Sequence, residues 1–265
     1  MTFAPSRSTL SNVLLIAEQA AFLKPICAAD LNELYVFHKP GISKRSSKGY
    51  VSSFSSDLPA REGPSLRDYF MQTGLSKRYP VDEFISFGRL DKDTSGLLLL
   101  SKREKHPKFI DQLLLNPLFK KDAGQTTKLY RAKVRGEVNE KTLARLKNIQ
   151  IPGTNEVPVS VSAESVRLVS VSNAGTRMAF SIVELEINEG KFHQVKKMFY
   201  AIKHPVCKGG LHRVRFGMLT LAAGEETGSR EMDAGEIRPL FESEKKKLVS
   251  LYNYWLISEK ARLGL

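Results

Sequence analysis

Between Gly88 and Gly96 the chain reads Gly-Arg-Leu-Asp-Lys-Asp-Thr-Ser-Gly, which places Asp91 in a turn rich in Asp, Thr, Ser and Gly. An apolar strand signal, Phe84-Ile85-Ser86-Phe87, precedes the turn, and a run of four leucines, Leu97 to Leu100, follows it. A loop held this way on a rigid scaffold is where reactive groups concentrate. A carboxylate there can act as a nucleophile or as a general base. The same residue types also stabilise turns by bonding nearby amides, so Asp91 and Asp93 equally fit a purely local role.

A second group of candidates lies between Lys191 and Lys203. On a helical projection Phe192, Val195, Met198, Phe199 and Ile202 share one stripe, which should pack on a sheet. His193, Lys196, Lys197, Tyr200 and Lys203 fall on the other side, a face that is either solvated or turned toward an anion. A third candidate sits in a strand expected over Thr126 to Arg135. Period-two alternation there puts Leu129, Arg131, Lys133 and Arg135 on one face and Tyr130, Ala132 and Val134 on the other.

The elements that must position these groups can be sketched from local signals. Leu10 to Lys24 is dense in apolar residues and stopped by Pro25, so it reads as a mostly buried helix. Leu34 to Phe37 is a strand candidate leading into His38-Lys39-Pro40-Gly41. Ile42 to Pro59, rich in Ser, Lys and Gly, reads as a mobile basic loop whose Lys39, Lys44, Arg45 and Lys48 meet phosphates or only solvent. Ser65 caps a short helix, Leu66 to Gln72, that Gly74 closes. Further helices are expected over Pro107 to Leu115 and Asn139 to Lys147, and Ser243 to Leu263 forms a packing helix that carries Trp255. Val157 to Ser170 and Arg177 to Ile187 read as strands of a largely antiparallel sheet. Within the second, Phe180 and Ile182 share one parity while Val183, Leu185 and Ile187 take the other, which calls for a bulge or for burial on both faces.

Composition narrows the partners. Lys plus Arg number 41 against 28 Asp plus Glu, a formal charge of +13 in 265 residues, which favours a polyanion such as nucleic acid over a membrane surface. Seven cations and one acid, Glu189, lie between residues 189 and 215. Cys27 and Cys207 form no CxxC pair, and the five histidines form no metal-binding pattern, so neither a disulfide framework nor a metal is implied. No apolar run approaches the roughly 18 to 20 residues that cross a bilayer.

The string GRLDKDTSGLLLL resembles the catalytic motif of pseudouridine synthases of the RsuA type, which modify ribosomal RNA. Two further matches lie far along the chain, Glu189-Gly190-Lys191-Phe192-His193-Gln194-Val195-Lys196-Lys197-Met198-Phe199 and, more weakly, Lys128-Leu129-Tyr130-Arg131-Ala132. His38-Lys39-Pro40 is similar to the family's Asn-Lys-Pro turn with His replacing Asn. The resemblance implies the pseudouridine synthase fold: α+β, with a mixed, mainly antiparallel sheet, flanking helices and a central active-site cleft. It implies Asp91 as the essential aspartate, Tyr130 as the tyrosine that stacks on the target uracil and helps remove the C5 proton, and Lys196 as the basic partner that reaches into the cleft to Asp91. A cation at that distance favours the charged carboxylate that a nucleophile needs. No cofactor and no metal are implied.

Arg89 is expected to brace the loop or a phosphate. Lys39, Arg131, Lys191, His193, Gln194, Lys197, Arg213 and Arg215 are the further RNA-binding candidates, with Leu211 to Gly217 a strand flanking the same cleft. Too few residues precede Leu34 for the small S4 domain that opens many members, so an S4-less member is expected. Its parts would be an N-terminal helical extension (1–30), a catalytic domain (31–241) and a C-terminal helix packed on it (242–265). The expected partner is ribosomal RNA or a pre-ribosomal particle, met by a monomer in a bacterial-type cytoplasm or an organelle.

Overall fold

The computed structural model describes residues 25–42, 49–55, 63–102, 127–153, 157–226 and 228–263. The helices expected over Leu10 to Lys24 and Pro107 to Leu115 lie outside these residues, as do Lys44, Arg45 and Lys48.

The leucine run explains the centre of the fold. In β3 (Ser95–Lys102) every residue from Gly96 to Ser101 is buried, the pattern of a central strand covered on both faces. Leu98 and Leu100 face one hydrophobic core, and Leu97 and Leu99 face another. Around β3 runs a mixed sheet that includes β1 (Leu34–Lys39), β2 (Phe84–Phe87), β4 (Lys128–Arg135), β7 (Ser165–Ser172), β8 (Phe180–Ile187), β9 (Val206–Phe216), β10 (Leu219–Thr220) and β11 (Ile237–Pro239). The order is β11-β1-β3-β9-β4-β8-β7, with β2 on β3 and β10 on β9. Every pairing is antiparallel except β3 with β9, where Ser95 faces His212 and Gly96 faces Arg213.

One face of the sheet is covered by α1 (Leu66–Thr73), α2 (Glu140–Ala144) and α3 (Gln194–Ala201), which contribute Phe70, Leu143, Val195, Met198 and Phe199 to the core with Phe37, Ala132, Val134 and Leu185. The other face is covered by α4 (Glu242–Leu263), whose Leu248, Leu251, Tyr252 and Trp255 pack on Leu34, Val36 and Phe216. The helix ends follow the expected chemistry. Ser65 accepts from the Asp68 amide while Asp68 accepts from the Ser65 amide, and Gly74 ends α1 with φ 77°. No helix among the described residues is long and apolar enough to cross a membrane.

Three expectations need correction. The strand expected over Val157 to Ser170 is broken into β6 (Pro158–Val161), which pairs only with β5 (Ile149–Pro152), and β7. In β8 the inward residues alternate without interruption, and Phe180 and Ile182 are half-buried on the opposite face, with the Lys133 ammonium 3.7 Å above the Phe180 ring. The register shift instead falls in β7, between Leu168 and Ser170. Part of the expected mobile loop, residues 49–55, is packed: Phe54 is core, and the Ser52 hydroxyl bonds both the carbonyl and the amide of Leu90.

Candidate active site

Asp91 projects from the β2–β3 turn into a cavity of about 420 Å³, lined among others by Arg89, Thr94, Lys128, Tyr130, His193, Gln194, Lys196 and Arg213. Such a volume falls within the roughly 300–1,000 Å³ typical of small-ligand sites. The turn is clamped from below. Lys39, fully buried at the end of β1, directs its Nζ at the carbonyls of Thr94 (2.8 Å), Lys92 (2.9 Å) and Asp91 (3.3 Å). Burial pulls the Lys39 ammonium down to about 7, against the opposing pull of Asp93 and Asp91. Gly96 has φ 111°, and a side chain there would collide with the Arg213 backbone across the parallel pairing. The glycine therefore lets the Asp91 turn sit directly against β9.

From α3, Lys196 Nζ meets Asp91 Oδ2 at 2.8 Å, and His193 Nε2 lies 3.6 Å from Asp91 Oδ1. The N-terminus of α3 is shaped by a tight turn. His193 takes a left-handed conformation (φ 54°), Gln194 N–H donates to the Lys191 carbonyl, and Lys191 N–H donates to Gln194 Oε1. Tyr130, buried on β4, completes the wall, and behind it Arg213 is fully buried. Arg213 donates from Nε to the Leu97 carbonyl (2.8 Å) and from Nη2 to the Gly88 carbonyl (2.7 Å). Burial lowers the Arg213 guanidinium from its ordinary value, and a hydrogen bond with Tyr130 works the other way.

The structure thus brings Asp91, Tyr130 and Lys196 to one cavity, with Arg89 exposed at its lip. His193, 3.6 Å from Asp91, lies in the same lining, as do Lys191, Gln194 and Arg213, and the remaining candidates differ in what their polar groups already meet. Lys39 and Arg213 are buried and direct their donors at backbone carbonyls of the Asp91 turn and β3, although Arg213 also forms part of the cavity lining. Gln194 lines the cavity but is also buried, with its amide nitrogen on Glu189 and its oxygen on Lys191. Arg131 pairs with Glu184 and Arg215 with Glu186, on the sheet face away from the cavity wall. Lys191 reaches Glu189 and the Ser160 carbonyl, and Lys197 donates to the Pro152 carbonyl, tying α3 to the β5–β6 hairpin. The helical projection is wrong at Phe192: the helix starts at Gln194, and Phe192 is 68% exposed.

Sequence reasoning missed Lys128. Its position in the alternation, two residues before Tyr130, puts it on the buried face, where Nζ donates to the Glu189 carbonyl at 3.2 Å on the cavity wall. It also missed His212, whose Nδ1 is 2.9 Å from Ser95 Oγ and whose ring packs edge-on to His38. Burial, reinforced by His38, pulls His212 down to about 4, so its ring is neutral near pH 7.

Fold and site define a class. The model of the RNA pseudouridylate synthase family matches residues 33–201, well over half of the chain, and the chain belongs to that family of isomerases, in its RsuA-type branch. The ribosomal large subunit pseudouridine synthase B of Bacillus subtilis is 30% identical over 194 residues, covering 73% of this chain and 68% of that protein. The ribosomal small subunit pseudouridine synthase A of Vibrio cholerae is 30% identical over 189 residues, covering 68% of this chain and 66% of the relative. A solved structure described as a pseudouridylate synthase superposes with a TM-score of 0.55 at 27% identity, covering 82% of this chain and 73% of its own.

Proposed function

We propose that this protein isomerises one or a few uridines in ribosomal RNA, with Asp91 as the essential catalytic residue. The observation that carries the reading is the Asp91–Lys196 pair, 2.8 Å apart in a cavity walled by Tyr130. The reaction breaks the bond between C1′ and N1, turns the uracil and joins C5 to C1′. The proton leaves C5 and N1 gains one, so no external oxidant or reductant enters. Asp91 either attacks the base or sugar or removes a sugar proton, and Lys196 holds the carboxylate charged and oriented for both routes. Tyr130 stacks on the uracil and assists loss of the C5 proton. The uridine must leave its stack to enter the cavity, at a cost of a few kcal/mol that is smallest in a loop. The ribosomal substrate is supported by the names of the Bacillus and Vibrio relatives.

Tritium release from RNA labelled at uridine C5 tests the reading, with ribosomal RNA from cells lacking the protein as substrate. Release by wild type and none by Asp91→Asn is expected. Tight binding without release by wild type would overturn it in favour of an RNA-binding assembly factor. Release from transfer RNA alone would move the substrate to that class.

A further inference from the structure

Phe192 contributes nothing to either hydrophobic core, yet its position is built. The ring is 68% exposed and stacks on the His193 imidazole, with centroids 3.8 Å apart and planes 19° apart. His193 in turn sits 3.6 Å from the Asp91 carboxylate and lines the cavity, as does Lys191 on the other side of Phe192. Phe192 is not among the lining residues, so it stands at the rim, one stacking step outward from the group that faces Asp91. Lys197 Nζ lies 5.6 Å from the ring centroid.

The backbone holds this arrangement at a cost. His193 occupies the left-handed region (φ 54°), which is unfavourable for a residue with a Cβ, and the closed turn from Lys191 to Gln194 is what sends Phe192 away from the core. An exposed aromatic beside a cation, at the mouth of a site for a single extruded base, has the composition of a nucleobase-stacking platform.

Resting on the function proposed above, we infer that Phe192, backed by His193, stacks on the unpaired nucleobase next to the uridine that enters the Asp91 cavity. The enzyme therefore selects uridines flanked by an unpaired neighbour, as in a loop or bulge. The His193 ring receives Phe192 on one face, which couples occupancy of the platform to the imidazole beside Asp91.

The probes are single-stranded uridine oligomers, labelled with fluorescein at one end, that carry 2-aminopurine on the 5′ or the 3′ side of the central uridine. Wild type is expected to bind them and to quench 2-aminopurine at one of the two positions. Phe192→Leu should lose the quenching and bind about ten- to a hundredfold more weakly, and Phe192→Trp should keep both. Replacing the stacked base by an abasic ribose should weaken wild type by a similar factor and leave Phe192→Leu unchanged, which a merely structural role would not produce. Thermal unfolding of Phe192→Leu should match wild type, since the ring is outside the core. Quenching at neither position, equal binding by wild type and Phe192→Leu, or no binding of these oligomers by wild type would each overturn the inference. Asp91→Asn is expected to keep the quenching, so loss of tritium release in the catalytic test and loss of stacking here report different failures.

Discussion

Cations crowd two regions of this molecule, the start of α3 and the outer face of β4, β7 and β9, and their surroundings differ. On the sheet, Arg131 and Arg167 converge on Glu184 while Arg215 meets Glu186, a cross-strand ladder in which opposite charges face one another. Burial would raise both carboxyls, but bonds from Arg167 and Arg131 to Glu184, and from Thr127 and Arg215 to Glu186, outweigh it and leave both lowered. At α3, Lys196 and His193 approach a single carboxylate, Asp91, from the helix side, while the cavity opens before it. The same residue types therefore build a self-neutralised surface in one place and a directed charge in the other. Counting lysines and arginines cannot separate the two; the positions of the carboxylates do.

The largest effect should come from breaking the directed pair. Lys196→Met is expected to lower kcat by about a hundred- to a thousandfold with much less change in KM, and Arg131→Ala by less than about twofold, read in steady-state tritium release. Next is the lysine beneath the turn. Lys39→Met leaves the carbonyls of Asp91, Lys92 and Thr94 without their donor, at about 1–3 kcal/mol for each one left dry, so denaturant unfolding should show a loss of several kcal/mol. Its pH signature has a defined sign. The folded value of about 7 lies below the 10.5 of a free lysine, so the folded protein holds fewer protons between those values, and this group adds stability as the pH rises through that window. Lys39→Met should remove that rise; an unchanged pH slope would show that the ammonium keeps its proton throughout.

A smaller effect tests the ladder. The double substitution Glu184→Gln with Glu186→Gln releases Arg131, Arg167 and Arg215, and should tighten non-specific RNA binding by about two- to fivefold at low salt while steepening its salt dependence. Identical filter-binding curves would show that the arginines already reach phosphate. The smallest effect is at Thr94, whose Oγ1 is buried without a hydrogen-bond partner among the described residues. Thr94→Val keeps the shape and removes that hydroxyl, so the unfolding free energy should stay within about 1 kcal/mol of wild type or rise slightly.

The sheet was legible wherever periodicity is the physical cause. The alternation in β4 is a direct image of burial, whereas the leucine run that becomes β3 carries no period to read, and the ends of α1 are visible in Ser65 and Gly74. The meeting of Asp91, Tyr130 and Lys196 at one cavity was legible by resemblance, since nothing local to Lys196 distinguishes it from a solvated lysine. The burial of Lys39 and Arg213 was not legible, because a buried cation is stabilised by backbone carbonyls, which every residue carries and no sequence displays. Phe192 was misplaced because the helical projection was started too early: the left-handed turn at His193 resets the phase, and non-glycine residues rarely advertise such a turn. β5 and β6 were obscured because each is only four residues long.

The parallel pairing of β3 with β9 has a kinetic consequence. Arg213 closes on Leu97 and Gly88 across 116 and 125 residues of chain, so the turn that bears Asp91 acquires its wall only after that long loop has closed. Loop-closure entropy must be overcome before those contacts return anything, which slows folding and leaves no local route to a working site. During synthesis the Asp91 turn emerges early and stays incomplete until β9 follows, so activity should appear only with the last large step of folding.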